Sequence, residues 1–168
     1  MQNLIYFADL DGPKQASTAV SIISADLTAN ITTPWINLDN RLVYQYASSS
    51  LIPVPALTLY HNLYYHGSWF RRAMDAQIGV DLSYNTSYYA PYLNAALGQF
   101  AVQDQTQIGN YPRMNVYASF YVKLIHLRFF AQYEHFNATF MNRKFYSMPA
   151  YPTNPDVFRA GLAFHFYN

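Results

Sequence analysis

Five histidines are the residues in this 168-residue chain best suited to chemistry, and their spacing argues against it. His61 and His66 stand five apart, an odd spacing that sends them to opposite faces of an extended strand. His126, His135 and His165 are scattered among tyrosines and phenylalanines. Zinc sites are built from close ligand pairs with matching second partners, and no such pairs occur. All five therefore read as rim or packing histidines. Ser83, His135 and Asp81 supply the residue types of a hydrolytic triad. Nothing makes them converge, however, and the chain has neither a GxSxG elbow nor a Gly-rich phosphate loop. We expect no catalytic residues, no metal and no cofactor.

The charged residues carry more information through their positions than through their number. Asp26, Asp39, Arg41, Asp81, Lys123, Arg128, Glu134 and Arg159 fall on the polar side of segments that alternate with a period of two. In a strand, residues i, i+2 and i+4 share a face, so these segments predict strands with one polar and one apolar side. The signs are mixed, which predicts a polar wall without a preference for anions or cations. Arg128, Glu134 and Arg159 come from adjoining segments and are expected to cluster as an ion-pair group.

The positioning elements follow from the same alternation. The last third is the clearest: Val116, Ala118, Phe120 and Val122 share one side, then Leu127, Phe129, Ala131 and Tyr133, then Phe158, Ala160, Leu162, Phe164 and Phe166. Earlier in the chain, strands are expected over Asn3 to Ala8, Ala19 to Ile31, the INLDNRLVYQYA segment, Leu57 to Trp69, and from Gln77 to Tyr88. His61 falls on the apolar side of its segment. Tight turns are expected near Thr33, Arg71 and Leu124, and longer loops near Asp11, Ser49, Asp104 and Arg143. Leu93 to Val102 reads as loop, because Asn94, Gly98 and Gln99 spoil the alternation. The sum is about eight antiparallel strands in an up-and-down meander, with short turns at one rim and long loops at the other.

Composition places that sheet. Aromatics make up 18% of the chain, with 17 Tyr and 12 Phe, and charged residues only 11%. A soluble domain averages near 25% charged residues, so this chain lacks the means to cover itself with Lys and Glu. Mean hydropathy is nonetheless near neutral, at −0.09. Alternating apolar and polar residues cancel in a running average, as they do in transmembrane β-barrels. Tyr44, Trp69, Tyr84, Tyr88, Phe166 and Tyr167 sit near strand ends, where aromatic girdles meet lipid headgroups. A net charge of +1 argues against nucleic acid, and the absence of Cys excludes disulfides. No run approaches a membrane-spanning helix, and the first residues show no signal peptide.

Three strings carry a family resemblance. Tyr84-Asn85-Thr86 is followed by Tyr88-Tyr89; Ile108-Gly109-Asn110-Tyr111-Pro112 forms a second motif; and Tyr151-Pro152 leads to Phe158-Arg159-Ala160-Gly161. From about Leu38 onward the chain resembles the C-terminal part of the putative-porin family of Bacteroidetes-type outer membranes. That resemblance implies a bacterial outer-membrane barrel that passes small hydrophilic solutes. Its partners would be outer-membrane lipid and the N-terminal strands of a longer parent barrel, of which residues 1–168 would form one β-barrel domain. Two alternatives stay open: a small plugged outer-membrane barrel with a structural or surface-interaction role, and a soluble lipocalin-like barrel. The last inverts the sheet, with Leu82, Phe129 and Phe164 facing a dry centre.

Overall fold

The computed structural model describes residues 2–8, 12–141 and 146–166. Its main body is a seven-stranded sheet in strict sequence order: β1 (Ile22–Thr32), β2 (Ile36–Ala47), β3 (Leu57–Trp69), β4 (Met74–Asn85), β5 (Arg113–Val122), β6 (Leu127–Glu134) and β7 (Val157–Phe164). Every neighbouring pair is antiparallel. The connections after β1, β3 and β5 are tight turns. Those after β2, β4 and β6 are long and gather at the opposite end. The sheet is open, with β1 and β7 as its edges.

The register shows why these sequences form these strands. Ile31 pairs with Leu38, Leu38 with Leu63, Leu63 with Val80, Val80 with Val116, Val116 with Tyr133, and Tyr133 with Phe158. Cross-strand partners share a face, so one apolar row runs through all seven strands. A second row runs Thr32–Asn37–Tyr64–Gly79–Tyr117–Gln132–Arg159 on the other side. A one-residue slip in any strand would exchange its two faces, and none occurs. His61 and its partner Asn40 interrupt the apolar face, and the strand survives because they satisfy each other. His61 Nδ1–H donates to Asn40 Oδ1 at 2.5 Å, and Asn40 Nδ2 donates to the Ala29 carbonyl at 2.9 Å.

The two faces are covered in the reverse of the usual way. Ile78 and Val80 are 38% and 40% exposed, whereas Gly79 between them is buried and Asp81 is half-buried. Leu63 is likewise exposed beside half-buried Asn62 and Tyr64. Among the described residues, the apolar side stays largely exposed. Phe164 is exposed, and Leu82 and Phe129 are only half-buried, so they do not fill the dry centre that a lipocalin-like barrel requires.

Four expectations need correction. The main sheet has seven strands rather than about eight. The first expected strand shrinks to Ile5–Phe7 and pairs antiparallel with Pro13–Gln15 in a separate two-stranded sheet, and the loop expected near Asp11 lies outside the described residues. Leu93 to Val102 is neither a loop nor a spanning strand: Tyr92–Asn94 and Gln99–Ala101 form a miniature hairpin. Its turn uses Asn94 Oδ1, which accepts from the Ala96 N–H at 3.1 Å, and Gly98 at positive φ. Finally, β4 ends at Asn85, and Tyr88 instead bridges Ile108 within the loop.

Candidate functional site

Of the eight residues expected on the polar wall, seven, Asp26, Asp39, Arg41, Asp81, Arg128, Glu134 and Arg159, lie in strands and share one face by register, whereas Lys123 falls in a turn. Most are satisfied by neighbours. Arg41 and Asp26 form an ion pair with the Nη2–Oδ2 distance at 2.5 Å, and Arg159 Nη2 lies 3.2 Å from Glu134 Oε2. Asn115 donates to Asp81 at 2.7 Å, and Asn62 lies 3.5 Å from Asp39. Lys123, in the turn after β5, pairs with Asp75 at 2.9 Å. Arg128 does not join Glu134 and Arg159. It stands six residues from Glu134 along β6, roughly 20 Å away, with its guanidinium over the Tyr121 ring at 5.7 Å.

The middle of this wall is held by a tyrosine that crosses a whole strand. Tyr117 on β5 reaches over β4 and donates its hydroxyl to Asn62 Oδ1 on β3 at 2.9 Å. The passage exists because β4 carries Gly79 at that point. A Cβ there would lie 2.6 Å from Tyr117 Cζ and 2.7 Å from Tyr64 Cβ. The glycine is a notch, and the aromatic ring fills it.

The long-loop end is organised around two of the family-like motifs. Tyr84 donates its hydroxyl to Asn110 Oδ1 at 2.8 Å, and the Asn110 N–H donates to the Asn85 carbonyl at 2.7 Å. Tyr88 and Ile108 exchange backbone hydrogen bonds at 3.0 Å. Gly109, at φ 97°, passes so close to Asn85 and Thr86 that no side chain fits. Beside this lies a buried polar knot. Asn137 is fully buried, accepting from the Met114 N–H at 3.0 Å and donating to the Pro112 carbonyl at 2.6 Å and to Tyr111 Oη at 3.1 Å. His135 Nδ1 lies 2.7 Å from the Asn154 carbonyl and Nε2 lies 2.7 Å from Tyr111 Oη. A carbonyl can only accept, so Nδ1 carries the proton and Nε2 accepts from the tyrosine. Burial raises the Tyr111 pKa above its ordinary value of 10.0. With both ring nitrogens engaged, His135 ties three loop segments together.

The aromatic residues expected to form a girdle divide between the two ends of the sheet. Tyr44 and Tyr84 lie on the apolar face near the long loops, whereas Trp69 and the stacked Phe164 and Phe166 lie near the short turns. Trp69 is also a packing residue. Its indole N–H donates to Tyr65 Oη at 3.0 Å, and its ring lies 5.7 Å from Phe120, which lies 5.2 Å from Phe129. Tyr88 belongs to the loop, and Tyr167 falls outside the described residues. Sequence reasoning missed Tyr111, Asn137, Tyr117 and Arg113. The last two could have been found by extending the odd-numbered alternation of Asn115 in both directions. Tyr111 and Asn137 act through contacts between distant loops, which no period encodes.

An open antiparallel meander with an exposed apolar face and a polar, ion-paired face defines a membrane β-sheet of the porin type. A family model described as "Putative porin" matches residues 1–168, so the chain belongs to that family. The match also takes in the stretch before Leu38. No curated protein and no solved structure matches the chain.

Proposed function

We propose that this sheet forms part of the wall of an outer-membrane β-barrel, through which small hydrophilic solutes diffuse passively and without chemical change. The observation that carries this reading is the apolar face that continues in register across seven strands, interrupted by the His61–Asn40 pair, yet stays exposed. A contiguous exposed apolar face is what a soluble monomer avoids. Lipid is the solvent it fits. From Leu59, beside Tyr84, to Trp69 is about 33 Å along β3 at ~3.3 Å per residue. Tilted by roughly 40°, that length spans about 25 Å, the height of an apolar band between aromatic girdles.

Edge chemistry supports a larger object. Unpaired backbone groups are not tolerated in hydrocarbon, so β1 and β7 need partners. In a seven-strand meander the two edges run in the same direction. Antiparallel closure therefore requires an odd number of further strands, which we assign to a longer parent barrel. The interior of an eight-strand barrel is filled by side chains, whereas larger barrels hold water. The packed loop end favours a second role, in interactions at the outer surface, since loops meant only to connect would not need a buried knot. Planar-bilayer recording of the full-length parent tests the pore. Stepwise ion current is expected, and silence from well-folded protein rejects it.

A further inference from the structure

The hairpin of Tyr146–Met148 and Tyr151–Pro152 leans over the loop end of the polar wall. It leaves two adjoining clefts of about 330 and 360 Å³ that share Arg113, Ser147 and Thr153. Each is within the roughly 300–1,000 Å³ range of small-molecule sites. The other cations of this wall are engaged: Arg41 by Asp26, Lys123 by Asp75, Arg159 by Glu134, and Arg128 by the Tyr121 ring. Arg113 is exposed, and among the described residues its guanidinium makes no hydrogen bond or ion pair. Glu134 is the acid in the clefts, and Arg159 already neutralises it. Among the described residues, one positive charge is left at the point where the clefts meet.

We propose that this cleft binds a small polyhydroxylated monoanion of the sugar-acid class, with Arg113 holding the carboxylate. The assignment deepens the pore reading and rests on the polar face being the solute-facing side. A guanidinium matches a carboxylate with two parallel N–H bonds, which a neutral solute cannot use. A dianion such as phosphate would bring a second charge against the Glu134 side of the cleft, with no second free cation among the described residues to meet it. Around Arg113 the walls are uncharged hydrogen-bonding groups, Asn85, Ser147 and Thr153, which both donate and accept as hydroxyls require. Tyr88 and Tyr146 add flat, amphipathic rings suited to the C–H faces of a sugar.

Titration of gluconate into the folded full-length protein in detergent micelles, followed by calorimetry, tests this. Glucitol serves as the neutral counterpart. Gluconate should bind and glucitol should not. Arg113→Gln should weaken gluconate binding about tenfold or more, and Arg113→Lys by less, because the charge remains but the fork is lost. Arg72→Gln, in a short turn at the opposite rim, controls for net charge and should leave affinity unchanged. Absence of gluconate binding by wild type, equal binding of glucitol, an unaffected Arg113→Gln, or an equal loss in Arg72→Gln would each overturn the site. Conductance separates this from the pore itself. Arg113-dependent binding without ion current leaves the site and removes the pore. Current without Arg113-dependent binding does the opposite.

Discussion

Within the seven strands, the apolar residue buried among the described positions is Ala76, whereas the segments beyond the strands bury Val20, Ala90, Ala101, Ile108, Tyr111 and Ala138. Polar burial divides similarly: Asn94, His135 and Asn137 lie outside the main strands, and only Asn37 lies within one. The sheet has no core because its architecture does not use one. Its order comes from backbone pairing and a register that sorts side chains to two faces, each wanting a different solvent. The loop end behaves like a small soluble domain, with particular side chains meeting particular carbonyls. The two halves should therefore fail independently and respond to different insults.

The largest separation is expected from Asn137→Ala. It leaves the half-buried Met114 N–H and Pro112 carbonyl without their partner, at up to about 1–3 kcal/mol for each group that water does not reach. The loop end should open by about 3 kcal/mol, read as faster amide exchange at Met114 and new protease cleavage near 136–141. The sheet should keep its exchange protection and its heat resistance in detergent. Loops as protected as in wild type would mean that the knot is not what orders them.

Gly79→Ala attacks the other half. Its Cβ would meet Tyr64 Cβ at 2.7 Å, a contact that no side-chain rotation relieves, and would push Tyr117 off Asn62. Overpacking of this kind costs about 1–3 kcal/mol, seen as a lower urea midpoint with the loop knot intact. Gly161→Ala makes an informative contrast. There the nearest atom is Phe130 Cζ at 2.6 Å, the far end of a ring that can swing away. A cost equal to that of Gly79→Ala would mean that the notch is not specific to the strand-crossing tyrosine.

The same division explains what could be read from the sequence. A period of two fixes faces, so the polar wall from Asp26 to Arg159 and the apolar rows from Ile31 to Phe158 were legible residue by residue. His61 did not break its strand, because a single polar pair is cheap when Asn40 completes it. The period does not show where strands stop or how loops return. Tyr88 continues the alternation yet leaves β4, since the loop offers it Ile108 as a backbone partner. Arg128 was grouped with Glu134 by strand adjacency alone, when position along the strand also mattered. The motifs Tyr84-Asn85-Thr86 and Ile108-Gly109-Asn110 were visible as strings. That they touch is a fact of the fold.

Alkaline titration should loosen the loop end. Burial raises the Tyr111 pKa, so the folded state retains a proton that the unfolded chain releases first. Stability contributed by the neutral phenol is complete below the ordinary value of 10.0 and declines as pH rises from there through the raised folded value. The slope is at most about 1.4 kcal/mol per pH unit for one proton. After division by the base-catalysed intrinsic rate, loop protection in wild type should fall above that point, and Tyr111→Phe should remove that fall. A wild-type profile shared by the strands would place the sensitivity elsewhere.

The smallest effect is expected where the two halves meet. Arg159 and Glu134 lie at the loop end of the polar wall, 3.2 Å apart, with side chains 60% and 30% exposed. At that exposure, water and salt screen the pair, and its worth is on the order of 0–1 kcal/mol. Glu134→Gln should barely move the unfolding midpoint, and any change should vanish by about 0.5 M salt. It should, however, remove the carboxylate from the cleft wall and strengthen anion binding at Arg113. The comparison sharpens if stability stays flat while gluconate affinity rises. A large loss of stability with no change in affinity would make the pair a structural clamp between sheet and loops, and the two regions would no longer be separable.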